Sequence, residues 1–281
     1  MVTFTESEID KLIEEDVPYF DLTTYLLDIG NKEGTISFSA RHEIVVCATE
    51  ECKRIFDRFN LKVLKFTSSG TQVPPKEVFL KAKGKAEAIH KVWKVTQNLL
   101  EYGSGIATRT RNLVNLAKSV NPDVEIVTTR KTLPLSKKIC IKGILAGGAL
   151  PHRLGLSETV LIFEQHSKFL GGLEELLKKL PSLKKRVPEK KVTVEVNSVE
   201  EAFLALKAGA DVVQIDKFSP EEVKKVVEFK ERNFPSAKVA AAGGINESNI
   251  KTYASTGVDI IVLTCAYFGK PADIKVQIEP C

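Results

Sequence analysis

From Val124 onward the chain repeats one unit, a short apolar β-branched run followed by a helical segment, and this repetition restricts the fold more than any other feature. The runs are Val124–Thr129, Thr159–Phe163, Val192–Val196, Val212–Ile215, Val239–Ala242 and Ile260–Thr264. They recur at spacings of about 20 to 35 residues with helical segments in most gaps, which is the pattern of parallel βα units. No GxGxxG follows the first run, so a barrel is expected in preference to an open dinucleotide-binding sheet. By this rhythm the barrel is expected to be closed, although six strands is fewer than the usual eight.

The residues before this rhythm read differently. Thr5 and Glu8 have capping-box spacing, with Ile9, Leu12 and Ile13 at helical intervals, which predicts a helix to about Glu15. Asp21, Leu22, Thr23 and Thr24 read as a polar turn. Thr35–Ser39 alternates as a strand does, and Ile44–Cys47, Leu61–Phe66 and Val78–Lys83 are further β-like runs around a short helix at Glu50–Phe59. Strands adjacent to strands imply an α+β layer rather than a nucleotide-binding unit. Lys85–Val120 is helical but is interrupted at Gly103, Ser104 and Gly105, which predicts two helices meeting at a glycine hinge. The domain boundary is placed there, with residues 1–103 as the first domain, 104–269 as the barrel, and a tail, 270–281, packing back on the first domain.

In a βα barrel, ligand-binding residues gather at the carboxyl ends of the strands. The first run ends in Arg130 and Lys131, the second in Glu164, Gln165 and His166, the third carries Glu195, the fourth Asp216, the fifth Gly243 and Gly244, and the sixth Thr264. His152 and Arg153 follow a Lys- and Gly-rich loop. Arg supplies a flat fork for carboxylate or phosphate, Lys a point charge and His a proton near neutral pH, so these side chains suit a multiply charged anion. A carboxylate inside Val194–Val196 is costly unless it meets a cation, and Mg2+ held by Glu195 and Asp216 with waters and ligand phosphates is the natural partner. The run into Gly243 and Gly244, followed by a helix, lets backbone N–H groups approach a phosphate. His166, Ser167 and Asp21 do not form a catalytic triad, because no nucleophile elbow is present, and His166 reads as structural.

Composition excludes several classes. The chain has 281 residues, 43% of them apolar, and a net charge of +5 from 41 basic and 36 acidic residues, so the surface is mixed in sign. No basic run carries interleaved aromatics, which argues against nucleic acid. The run Lys184–Lys191 reads as a solvated loop. Cys47, Cys52, Cys140, Cys265 and Cys281 show no CxxC or Cys/His ligand spacing, which fits a reducing cytoplasm. No stretch approaches 18 apolar residues, and the N-terminus lacks the pattern of a signal peptide, so no membrane association is expected.

With these residues in order, the chain resembles the quinolinate phosphoribosyltransferase family, also called nicotinate-nucleotide pyrophosphorylase. The similarity rests on Glu15 and Asp16 before Asp21–Thr24, on Asn98–Leu100 and Ser104–Thr108, and on Thr129–Thr132, His152–Leu156, Val194–Val196, Ile215–Asp216 and Gly243–Ile245. The resemblance implies the type II phosphoribosyltransferase architecture of an N-terminal α/β sandwich plus an incomplete C-terminal α/β barrel. It also implies a homodimer or an oligomer of dimers, in which one subunit's N-terminal part covers its partner's barrel mouth. The implied reaction displaces pyrophosphate from C1 of phosphoribosyl pyrophosphate by a ring nitrogen, with Mg2+ assisting. Carried over, Glu195 and Asp216 hold ribose hydroxyls and metal, Gly243, Gly244 and Thr264 the 5′-phosphate region, and Lys131 the phosphates. Arg130, His152 and Arg153 form the acid pocket, and Lys94 from the other subunit stands where the family has arginine.

The departures are as informative. Phe163-Glu164-Gln165-His166 occupies the place of a Lys-Asp-Asn-His run whose lysine meets the second carboxylate of quinolinate, and losing such a cation costs on the order of 2–5 kcal/mol if the anion stays buried. Thr264 and Phe268 replace a glycine and a histidine, and Lys94 lacks the fork of arginine. These changes imply an anionic nitrogen heterocycle other than quinolinate. Thr129–Thr132, Leu145–Arg153 and the tail Pro271–Val276 resemble the ModD branch, associated with molybdate transport genes. The alternatives are a non-catalytic binding or regulatory protein linked to that transport, and a barrel lyase using Lys131 as a Schiff-base amine.

Overall fold

The structure is a computed structural model that describes residues 2–281, and compactness divides the chain into two units. The first comprises Met1–Arg111, Thr132–Gly148 and Ala266–Cys281. Helix α1 (Glu6–Asp16) opens on the expected capping box: Glu8 N donates to Thr5 Oγ1 at 3.2 Å and Thr5 N to Glu8 Oε2 at 2.6 Å. The polar cluster at Asp21 is not a turn but the start of a short helix, α2 (Leu22–Leu26), because Asp21 Oδ1 accepts from the backbone N–H groups of Thr23 and Thr24.

Strands β1 (Glu33–Ala40), β2 (Ile44–Val45), β3 (Lys62–Phe66), β4 (Gln72–Val73) and β5 (Val78–Lys85) follow with helix α3 (Thr49–Arg58); all lie close to their expected places except β4, an unexpected strand that pairs with β2. The C-terminal strand Ile274–Pro280 pairs antiparallel with β1, giving a four-stranded sheet in the order C-terminal strand, β1, β5, β3. Alternation along β1 turns Ile36, Phe38 and Ala40 inward, where Phe38 meets Phe56 of α3 at a ring separation of 6.2 Å.

Helix α4 (Ala86–Lys118) corrects the glycine-hinge expectation, since it runs unbroken through Gly103 and Gly105. These glycines admit close neighbours rather than a bend. A Cβ at Gly105 would overlap the carbonyl oxygen of Lys270, and one at Gly103 would lie 3.1 Å from Ile139 Cδ1 and 3.3 Å from Cys47 Sγ. Helix α5 (Lys137–Gly147) carries Lys142, buried between Glu50 and Glu51 of α3.

The second unit comprises Asn112–Lys131 and Ala149–Cys265. Its strands are β6 (Glu125–Thr128), β7 (Leu150–Pro151), β8 (Val160–Ile162), β9 (Val192–Val196), β10 (Val212–Asp216), β11 (Lys238–Ala242) and β12 (Ile260–Leu263). Helices α6 (Glu164–Lys168), α7 (Leu173–Arg186), α8 (Val199–Lys207), α9 (Pro220–Asn233) and α10 (Ile250–Ala254) alternate with them. The strands form one parallel seven-stranded sheet in the order β7-β6-β12-β11-β10-β9-β8. Among the described residues β7 and β8 do not pair, so the barrel is incomplete, as the family resemblance implies and not closed as the strand rhythm suggests. The additional strand is β7, whose two residues are too few to show periodicity.

One face of the sheet collects Val127, Val212, Ala240, Ala242 and Val262 into a small apolar cluster. Pairing puts Gln214 opposite Glu195 and Ala240, and Asp216 opposite Ala242, so the same face carries these polar groups toward the carboxyl ends. The small side chains of β11 leave room beside them.

Candidate active site

The expected carboxylates stand on adjoining strands. Glu195, on β9, is half-buried and accepts from Gln214 Nε2 at 2.6 Å. Burial pushes its carboxyl above the ordinary 4.5; the Gln214 bond opposes this, the charge of Asp216 adds to it, and Lys131 and Lys217 pull back. Asp216 closes β10, with Lys217 Nζ 3.9 Å from Oδ2. Gln214 was not among the expected site residues. Its only signal was a polar side chain inside the run Val212–Ile215, and its Oε1 is buried without a hydrogen-bond partner among the described residues. Lys217 was not expected either, since nothing in the sequence shows that it adopts φ +62° at the strand end.

Gly243 and Gly244 turn the chain at the end of β11 with φ of +88° and +71°. A Cβ at Gly243 would lie 2.5 Å from Asp216 Oδ1 and 2.7 Å from Lys217 N, so only glycine lets this turn approach the carboxylate so closely. The helix expected directly after the pair begins only at Ile250. Between them, Asn246 and Asn249 brace the loop: Asn249 Nδ2 donates to Gly244 O at 3.1 Å, and Asn246 N to Asn249 Oδ1 at 2.8 Å. Asn side chains that bond nearby backbone compete with helix and delay its start.

The cations follow β6 and β7. Arg130 and Lys131 are exposed, and Lys131 N donates to Thr129 Oγ1 at 3.3 Å. Thr129 and Thr264 share a hydroxyl hydrogen bond of 2.9 Å, which places Thr264 beside the end of β6. His152 is anchored by its backbone N–H to Thr128 O at 2.9 Å. Burial lowers the His152 imidazole below 6.5, and the neighbouring Arg153 lowers it further. Arg153 is only 8% exposed, and its guanidinium carbon sits 5.9 Å from the Phe163 ring centroid.

Lys94 lies in the first unit, exposed on α4, with Nζ 3.2 Å from Gln97 Oε1 and 4.6 Å from the Trp93 ring centroid. His166 Nδ1 accepts from Phe163 N at 3.0 Å at the start of α6, in keeping with a structural role. Among the described residues no group of three or more His, Cys, Asp or Glu side chains could hold a metal. Two hard oxygen donors, Glu195 and Asp216, fit a cation such as Mg2+ that takes its remaining ligands from water and phosphate.

Comparison with known proteins places this geometry in a family. The family model described as Quinolinate phosphoribosyl transferase, C-terminal domain, matches residues 106–277, and the corresponding N-terminal domain model matches 21–104. The chain is 34% identical over 280 residues to a protein provisionally named pyrophosphorylase ModD from Escherichia coli O6:H1, covering 100% of this chain and 99% of that one. It is 40% identical over 249 residues to the protein of the same provisional name from Rhodobacter capsulatus, covering 89% of this chain and 95% of that one. A carboxylating nicotinate-nucleotide pyrophosphorylase, also provisionally named, from Methanothermobacter thermautotrophicus is 32% identical over 275 residues, covering 96% and 98%. The solved nicotinate-nucleotide pyrophosphorylase of Francisella tularensis superposes with a TM-score of 0.87 at 26% identity, covering 96% of this chain and 94% of that one.

Proposed function

The chain belongs to the quinolinate phosphoribosyl transferase family, a family of pentosyl-transferring enzymes, and we propose that it moves the phosphoribosyl group of phosphoribosyl pyrophosphate to an anionic nitrogen heterocycle other than quinolinate. The observation that carries this reading is the pair Glu195 and Asp216 on adjoining strands, with the Gly243 turn packed against Asp216.

The ring nitrogen's lone pair forms the bond to C1 of the sugar while the C1–oxygen bond breaks, its electron pair leaving with pyrophosphate. Positive charge develops at C1 and ends on the ring nitrogen. Glu195 and Asp216 hold the ribose hydroxyls and stabilise that charge, and Gln214 fixes the Glu195 carboxylate before substrate arrives. Lys131 meets the departing phosphates. Gly243 and Gly244 admit the 5′-phosphate to the backbone, with the Thr264 hydroxyl nearby, and Arg130, His152 and Arg153 receive the acid. Mg2+, held by Glu195 and Asp216, would neutralise the pyrophosphate oxygens when bound.

A homodimer is part of this reading, with Lys94 of the partner subunit completing the acid pocket. Support comes from the apolar surface of the segment around α2, where Tyr19, Tyr25 and Leu26 are 87%, 71% and 71% exposed. All five cysteines are free and three are buried, in keeping with a reducing cytoplasm. No helix among the described residues is long and apolar enough to cross a membrane.

The test is a thermal-shift titration with phosphoribosyl pyrophosphate and Mg2+, alone and then with nicotinate, quinolinate or molybdate, with pyrophosphate release followed in parallel. Stabilisation by the sugar phosphate and release on addition of an acid support transfer. Stabilisation without release in any mixture supports a binding protein instead.

A further inference from the structure

Charge is distributed unevenly around the strand ends of the second unit. Arg130, Lys131, His152 and Arg153 all follow β6 and β7. After β8 come an aromatic ring and an acid, Phe163 and Glu164; Lys168 is committed to Glu164 at 2.8 Å, and Asn197 Nδ2 approaches the same carboxylate at 3.5 Å.

β7 and β8 are the two edges of the sheet, yet their ends meet where the Arg153 guanidinium approaches the Phe163 ring, 5.9 Å from its centroid. Phe163 is held there by His166, which stacks on it at 5.8 Å with 19° between the planes and accepts its backbone N–H. Arg153 is buried, and burial, the larger effect, opposes its charge; Arg130 opposes it too, and the Glu158 carboxylate favours it. A guanidinium taken out of water is costly unless fully paired, and an arriving carboxylate offsets that cost. The ring face beside it attracts cations and repels anions.

On the transferase reading above, we infer that the acceptor is a flat aromatic acid with a single anionic group. Its carboxylate meets Arg153 and Arg130, and its uncharged edge lies against Phe163. A second carboxylate on that edge would face the Phe163 ring and the Glu164 charge, while the one cation of α6 is already paired. Phe163 therefore determines specificity by excluding a second charge.

The inference is tested with acids that lack a ring nitrogen and cannot react, so that the sugar donor can be present. Binding of benzoate, with one carboxylate, and phthalate, with two adjacent ones, is measured calorimetrically with phosphoribosyl pyrophosphate and Mg2+ bound. Wild-type protein, Phe163→Leu and Phe163→Lys are compared. The expected result is at least tenfold tighter binding of benzoate by wild type, the same order in Phe163→Leu, and loss or reversal of the preference in Phe163→Lys. The inference is overturned if wild type binds phthalate as tightly as benzoate, if Phe163→Lys leaves the ratio unchanged, or if neither acid binds the donor complex. Failure of the donor itself to bind defeats the transferase reading as well, so the two failures are distinguishable.

Discussion

Gln214 and Glu195 stand directly opposite each other on β10 and β9, and the amide donates to the carboxylate across 2.6 Å. The contact takes one rotamer of Glu195 out of solution before any ligand is present, and it explains a polar residue buried in an otherwise apolar strand. Glu195→Gln preserves size and can keep an amide–amide contact. We expect its stability within about 1 kcal/mol of wild type and its turnover about a hundredfold lower or worse, as for loss of one preorganised electrostatic group. Denaturant melts and steady-state rates on the same preparation check both parts.

Gly243→Ala and Gly244→Ala separate backbone strain from steric overlap. Both positions have positive φ, +88° and +71°, but only at Gly243 does a Cβ meet neighbours, Asp216 Oδ1 at 2.5 Å and Lys217 N at 2.7 Å. The left-handed conformation alone costs about 1–2 kcal/mol. Gly244→Ala should lose about that much, and Gly243→Ala about 3 kcal/mol or more, with sugar-phosphate affinity falling further in Gly243→Ala. Chemical denaturation and calorimetric titration distinguish the two.

Gly105→Ala decides between hinge and close packing. A glycine tolerated only as a flexible interruption of α4 would gain about 1 kcal/mol on replacement by alanine. The new methyl would instead meet the Lys270 carbonyl and lie 3.1 Å from Pro271 Cα, so a loss of about 1–3 kcal/mol is expected. The sign of the change in melting temperature is the readout.

Lys142 sits between Glu50 and Glu51, with Nζ 2.8 Å from Glu50 Oε2. Lys142→Met should cost about 3–5 kcal/mol by leaving buried carboxylates without their cation. Burial pushes the Glu50 carboxyl up, but hydrogen bonds from Lys142 and Ser69 outweigh it and hold it below 4.5. Burial pulls Lys142 down, but Glu50 and Glu51 outweigh it and raise the amine above 10.5. The Glu50 contribution is therefore present above its unfolded value and lost as pH falls through its folded one. That of Lys142 is present below its unfolded value and lost as pH rises through its folded one. Melts of wild type and Lys142→Met from about pH 3 to 9 should converge at the acid end.

The sequence shows the repeated strand runs clearly because parallel strands buried on both sides are apolar and β-branched, whereas β7, only two residues long, leaves no periodic trace. Arg130, Lys131, Glu195 and Asp216 stand out because charge is rare at the ends of such runs. Gln214 and Phe163 do not, since an amide in a strand and an aromatic after one are ordinary, and their partners lie 19 residues and ten residues away in sequence, Glu195 and Arg153. The glycines of α4 were misread for the same reason: Lys270 and Pro271, which approach Gly105, are far along the chain. Asp21 shows a subtler limit, since its side chain could end a turn or start a helix, and only the two N–H groups it captures decide which.

The most direct measurement is pyrophosphate release from phosphoribosyl pyrophosphate and Mg2+, followed continuously as nicotinate and other ring-nitrogen acids with one carboxylate are added to wild type and Glu195→Gln. The account predicts release that requires an acid, matches the acid consumed one for one, and falls about a hundredfold or more in Glu195→Gln. Absence of acid-dependent release from wild type across that series, or equal release from Glu195→Gln, would contradict it.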